Sequence, residues 1–483
     1  MRLLWCTQTR GENRMSTLLR RKNIESLQQD AQEEETSLNR SLGVWNLTAI
    51  GIGGIIGVGV FVLTGTAAAN QAGPAVAVSY VIAGIASIAA VLCYAEFASM
   101  IPLSGSAYTY GYAVLGEFLA WIIGWDLLLE YTLVIAVVAI GVSGYLNELL
   151  IGVGIEVPAW AAAAPGEAEG AVVNLFAVLL CLIVAAVQIV GIRQSARFNT
   201  ALVIFKVSLV VFVIVLGAFY VAPGNWVPFV PFGFGGVLAG AGLVFFAVFG
   251  EALATVAEEA RNPQRDIPLA LFLSMIISLT LYVLMALVVT GMQPYQKLDT
   301  AAPVSFAFRE VGLPFVATIV ALAAVIGITT VLFAFMLAAA RVFFAISRDG
   351  LLPRWFARTH PTYKTPYRPT LIIGVLTALV AGFLPIAEVA LLVNIGVLSA
   401  YIIVCASIIL LRRRNPEIER PFRAPLMPLT PLISIVFSAV LIASLPTTTW
   451  VRFAIWMAIG LIVYFAYSRR HSRLASSEVD IDS

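Results

Sequence analysis

The stretch Ile50-Gly-Ile-Gly-Gly-Ile-Ile-Gly-Val-Gly-Val-Phe61 sets five glycines, at 51, 53, 54, 57 and 59, within nine residues of an apolar run. Gly53 and Gly57 have the small-xxx-small spacing that lets helices pack closely in a membrane. Five glycines exceed what one packing face needs. A dinucleotide-binding loop is excluded, because no strand precedes the run and the spacing is not G-x-G-x-x-G. The run reads instead as a helix that unwinds partway. Unwound backbone at membrane depth is tolerated only where it lines a cavity, so this segment is a candidate binding site.

The rest of the chain supplies the membrane context. Of 483 residues, 60% are hydrophobic and 12% charged, and the mean hydropathy is +0.94. Soluble domains carry about 25% charged residues. Apolar runs near the ~20-residue length of a membrane span recur almost end to end. Their predicted limits are 44–69, 76–101, 113–147, 172–190, 198–221 and 237–258, then 267–291, 313–346, 370–384, 389–411, 426–445 and 451–468. The expectation is an all-α integral membrane protein of twelve transmembrane helices. A soluble enzyme is excluded. So is a nucleic-acid partner, since the net charge is +2 and the basic residues are dispersed among short loops. Cys6, Cys93, Cys181 and Cys405 lie in the N-terminal tail or inside apolar runs, and no disulfide framework is indicated. Residues 1–43 lack a contiguous apolar core, so no cleavable signal peptide is expected, and Met15 is an alternative start.

Lys and Arg in short loops set orientation. With these spans, 25 of the 29 basic residues fall on one side, including Arg193 and Arg197, Arg261 and Arg265, and Arg412–Arg414. Lys297, Arg309 and Arg452 fall on the other, and Lys206 remains inside the membrane. Both termini are predicted to be cytoplasmic, in a multi-pass protein of the plasma membrane.

A second glycine-interrupted span begins with Gly235, Gly236, Gly240 and Gly242 and continues Phe245-Phe-Ala-Val-Phe-Gly-Glu251. It is the sixth span, an odd number of helices after the first, so the second group of five starts from the opposite face. Interrupted helices at matching positions of two inverted halves point to a transporter with a site near the midplane. The predicted organisation is a tail over 1–43, repeats over 44–221 and 237–411, two additional helices over 412–468 and a tail over 469–483.

Ionisable groups inside a membrane are expensive and are functional candidates by default. The spans enclose Glu96, Asp126, Glu130, Lys206 and Glu251. Lys206 lies nine residues beyond Arg197, ~13 Å inside its helix end. Burial and a neighbouring carboxylate together place such an ammonium where a proton can be exchanged; a static buried ion pair is the competing reading. Asp126 and Glu130 share one face of the third helix at i and i+4, with Glu130 near mid-helix and Asp126 read as a local partner. Glu96 is read as a structural group at a cytoplasmic end. His360 and His471 fall in cytoplasmic segments, so no metal site, cofactor or histidine relay is expected within the membrane.

These residues resemble the amino acid–polyamine–organocation superfamily and, within it, the cationic amino acid transporter family. The resemblance is carried by Gly51–Phe61 with Val62-Leu-Thr-Gly65, Cys93-Tyr-Ala-Glu-Phe97, and Ser104-Gly-Ser-Ala-Tyr-Thr-Tyr110. Further matches are Glu258-Glu-Ala-Arg-Asn-Pro-Gln-Arg-Asp266, Ser347-Arg-Asp-Gly-Leu-Leu-Pro353 and Pro421-Phe-Arg-Ala-Pro425. It implies two inverted five-helix repeats plus two additional helices, alternating access, and amino acid uptake coupled in bacterial members to a proton gradient. It further implies that the substrate carboxylate meets the amides of Gly57, Val58 and Gly59, and the ammonium the carbonyls of Ile55, Phe246 and Phe249. Lys206 and Glu130 become the proton-coupling pair. Glu251 becomes a substrate or gate contact, although it follows Gly250 directly where the family has one bulky residue between glycine and acid. Met336, in Thr329–Met336 of the eighth span, falls in the segment that lines the side-chain pocket.

A channel would need a continuous polar pore, and an enzyme a nucleophile–base constellation; neither pattern is present. The predicted activity is proton-coupled uptake of L-amino acids, with small neutral ones favoured over cationic ones because Phe335 and Met336 bring no carboxylate to the pocket. Amino acid exchange and non-transporting amino acid sensing remain alternatives, and a small membrane subunit is an open question.

Overall fold

The computed structural model describes residues 42–472 apart from 101–107, 109–110, 113–114, 192–195, 251–252, 254–259 and 364. Among the described residues there is no β-strand, only the isolated bridges Leu42–Ala260 and Pro165–Ala168. Helices occupy the apolar runs, most with ends a few residues from those read off the sequence, while the helices that open the first and sixth runs stop early, at Ile55 and Val244. They are α1 (Val44–Ile55), α2 (Val76–Met100), α3 (Glu117–Gly152), α4 (Leu175–Val190), α5 (Ala196–Ala218) and α6 (Gly233–Val244). Then come α7 (Pro263–Met292), α8 (Pro314–Arg348), α9 (Tyr367–Phe383), α10 (Ile386–Arg414), α11 (Leu429–Ala443) and α12 (Thr447–Val463). Among the described residues, seven helical stretches are long and apolar enough to cross a membrane, and five further apolar helices are shorter. This is a multi-pass helical membrane protein: with no water in the bilayer core, helices satisfy their backbone groups internally.

The helices pack in a regular pattern. α2 lies on α7, α3 on α8 and α4 on α9, while α1 contacts α5 and α6 contacts α10. α3 is buried over most of its length and forms the central post, in contact with both α8 and α10. Outward faces carry bare apolar side chains such as Phe205, Phe212, Leu376 and Ile462, as lipid contact allows.

α1 ends at Ile55. Ile56 turns extended, at φ −71° and ψ 107°, and helical turns resume at Gly59, partly as π-helix, to Ala72. α6 tightens into a 3-10 turn over Phe245–Ala247, and Val248 leaves helical geometry at φ −118° and ψ 16°. The two breaks touch. A Cβ built on Gly59 would lie 2.6 Å from Ala247 Cα, so only glycine admits this approach.

Charged residues at the cytoplasmic ends predicted from sequence are tied across helices. Glu96 of α2 accepts from Arg412 Nε at 2.9 Å and from the Ala424 amide at 2.7 Å, with Arg420 Nε 3.4 Å away. This fits the structural role read for Glu96 and joins α2 to the end of α10.

Candidate functional site

Between the two breaks lies a small cavity. The first break contributes Gly54, Ile55, Gly57, Val58 and Gly59; α3 contributes Val134 and Val138; the sixth-span break contributes Phe246 and Phe249; α8 contributes Val331 and Phe335. Every lining side chain is apolar. Polar character comes from exposed backbone: the amides of Gly57–Gly59 open the outer half-helix, where first-turn N–H groups lack intrahelical partners and the dipole favours an anion. α1 and α6 end beside them, presenting carbonyls whose negative ends favour a cation.

Glycine makes this backbone approachable. A Cβ on Gly57 would come 3.2 Å from Val331 Cγ2, inside the cavity. Opposite, Phe246 and Phe249 meet edge to face at 5.7 Å, Phe249 meets Phe335 at 6.1 Å, and Phe335 meets Tyr131 at 5.6 Å. These rings bound the cavity between the sixth-span break and α8.

Carbonyls in and beside the first break are held by side chains from other helices. Lys206, 1% exposed on α5, donates Nζ to Gly53 O at 2.9 Å and Ile56 O at 3.1 Å. Its stem crosses Gly327 of α8, where a Cβ would lie 2.9 Å from Lys206 Cγ. Tyr282 of α7 donates to Ile55 O at 2.6 Å and also faces the Gly57 amide. Tyr80 donates to Gly59 O at 2.9 Å and shares a hydrogen bond with Thr64. Tyr145 donates to Phe61 O at 2.7 Å. Buried carbonyls demand such partners.

The structure brings together most of the residues singled out from sequence. Ile55, Gly57, Val58, Gly59, Phe246 and Phe249 all line the cavity, and Ile55 O already accepts one hydrogen bond, leaving its second lone pair. Met336 is fully buried but is not among the lining residues; its neighbour Phe335 is, because successive helix positions differ by ~100° about the axis. Glu130 is buried one turn before Val134 on the cavity-facing side of α3. Asp126 points elsewhere, toward Gly396 of α10. Glu251 lies outside the described residues.

Sequence reasoning missed Tyr80, Tyr145, Tyr282 and Asn394 of α10, whose amide caps the end of α6. Among these only Asn394 carried a signal, as an amide within an apolar run.

Residues 42–466 match the model of the amino acid permease family. The chain is 46% identical to a methylthioribose transporter of Bacillus subtilis, covering 95% of this chain and all of that protein. It is 44% identical to the branched-chain amino acid permease BcaP of the same organism, over 95% of this chain and 99% of the permease. A vacuolar cationic amino acid transporter of Arabidopsis thaliana is 37% identical over 83% of this chain and 68% of its own length.

Proposed function

The chain belongs to the amino acid permease family, and from that premise we propose that it is a secondary active transporter of neutral amino acids driven by a proton gradient. The observation that carries this reading is the division of roles in the cavity. The backbone of the two breaks offers amides and carbonyls for the two charged groups common to all α-amino acids, while only apolar side chains line the cavity where the variable group would lie. A guanidinium or second ammonium desolvated there without a partner would be costly. Apolar side chains match the apolar surface that Val134, Val138, Val331 and Phe335 present.

In this reading the carboxylate sits on the amides of Gly57, Val58 and Gly59, and the ammonium on carbonyls of Ile55, Phe246 and Phe249. Lys206 is the proton-exchanging group, bonded to Gly53 O and Ile56 O, and Glu130, a buried acid on α3, is the second group of the proposed coupling pair. The hold of Lys206 on these carbonyls supports the role, because loss of the proton would loosen the cytoplasmic half of the first span. The architecture is two inverted repeats over 44–221 and 237–411, followed by two additional helices over 412–468, twelve spans in all, in the plasma membrane with both termini cytoplasmic. Packing of α2 on α7, α3 on α8 and α4 on α9 supports it. The driving force is the proton gradient, with no cofactor.

A second reading follows from the relative named a methylthioribose transporter. A neutral methylthio sugar also fits an apolar cavity rimmed by backbone donors and acceptors. Calorimetric titration of the purified protein with alanine, leucine, arginine and methylthioribose separates the readings. Binding of alanine or leucine is expected. Exclusive binding of methylthioribose, or tighter binding of arginine, overturns the proposal.

A further inference from the structure

The two helix breaks are tied in the same manner by different chemistry. Lys206, from α5, donates its ammonium to carbonyls at the end of α1. Asn394, from α10 and fully buried, donates Nδ2 to Gly242 O at 2.7 Å and Leu243 O at 3.0 Å. Those are carbonyls in the last turn of α6, just before the 3-10 turn that carries Phe246. Carbonyls at a helix C-terminus are the ones left without intrahelical donors. In each case a nitrogen reaches in from the fifth helix of the same predicted half. The difference lies in protonation: an ammonium can release a proton and with it a donor, whereas a carboxamide cannot.

We propose that Asn394 is the positioning residue of the sixth-span break, a tie of fixed strength where that of Lys206 weakens on loss of its charge. It fixes the end of α6 against α10, and so sets where Phe246 and Phe249 lie relative to the first break at the Gly59–Ala247 contact. The mechanical consequence is an asymmetry. Deprotonation removes the charge that strengthens the tie at the first break alone, so the half of the site built by α6 keeps its shape through the cycle. The functional arm of this proposal rests on the transport reading; the structural arm does not.

The test compares wild type with Asn394→Leu and Asn394→Asp in proteoliposomes, using exchange of a neutral amino acid at equal pH on both sides. Leucine keeps the volume and removes the donor. The KM is expected to rise about tenfold, the scale of stranding buried carbonyls, with the maximal rate little changed. Aspartate faces two carbonyl oxygens, so only its protonated form can donate. Exchange by Asn394→Asp is expected to approach wild type near pH ~5 and to fall toward pH ~8. Asp126, Glu130 and Lys206 are common to both proteins, so their titration cancels in the comparison. A wild-type KM in Asn394→Leu, or a wild-type pH profile in Asn394→Asp, overturns the proposal. Hydrogen exchange of residues 243–250 gives the structural arm. Faster exchange there in Asn394→Leu sustains the tie even if wild type exchanges no amino acid and the transport reading fails; unchanged exchange overturns it. Should Asn394→Leu fail to fold, Asn394→Asp at low pH still decides.

Discussion

Lys206 Nζ lies 2.9 Å from the carbonyl oxygen of Gly53 and donates to it, across an interval of 153 residues. A second bond to Ile56 O spans the start of the break, so one ammonium fastens α5 to the last turn of α1. With Lys206→Met the stem volume is roughly kept and both bonds are lost. Substrate still reaches the amides of Gly57–Gly59, with weakened affinity because the first span shifts. Accumulation driven by a proton gradient is expected to vanish, along with its pH dependence. A folded Lys206→Met protein that still accumulates amino acid against a gradient would end the proton-switch account.

Gly57→Leu fills the cavity from the backbone side, since even its Cβ would meet Val331 Cγ2 at 3.2 Å. Binding of neutral amino acids measured by calorimetry should be abolished while the protein remains inserted and monodisperse. Normal binding would remove the broken-helix site from the account.

Gly59→Ala tests the contact between the breaks. The new methyl meets the main chain at Ala247 Cα, which cannot swing aside as a flexible side chain can. Overpacking of this kind costs about 1–3 kcal/mol, and a lowered melting temperature is expected. Adding Ala247→Gly should recover only part of the loss, because Cα remains in the way. A Gly59→Ala protein as stable as wild type would show that the breaks separate freely.

How much of this was legible in the sequence differs by residue. The glycines of 51–59 announced the first break because few other constraints put so many glycines in an apolar run. Lys206 stood out because a charge in a span is costly, yet its backbone partners did not, since no side-chain pattern encodes a carbonyl acceptor. The tyrosines that hold Ile55 O, Gly59 O and Phe61 O looked like ordinary aromatic residues of apolar helices. Met336 and Phe335 differ by one helical step, and packing of α8 on α3 decided which of them faces the cavity.

Glu96 gives a prediction remote from the site. Its carboxylate is fully buried and held by Arg412 and the Ala424 amide. Glu96→Ala leaves Arg412 and Arg420 without their acid, and breaking such a pair costs about 3–5 kcal/mol. A lower melting temperature and faster hydrogen exchange at the joined ends of α2 and α10 are expected, with the relative preference among amino acids unchanged. A shift in preference would place Glu96 in the transport site.

The central claim is that backbone at two broken helices and an apolar side-chain pocket select neutral amino acids for proton-driven uptake. The most direct measurement is uptake of labelled leucine and alanine into proteoliposomes under an imposed inward proton gradient, with unlabelled competitors. The account expects accumulation that collapses when the gradient is dissipated and that neutral amino acids suppress more strongly than arginine or lysine. Arginine outcompeting the neutral amino acids, or accumulation indifferent to the proton gradient, would contradict it.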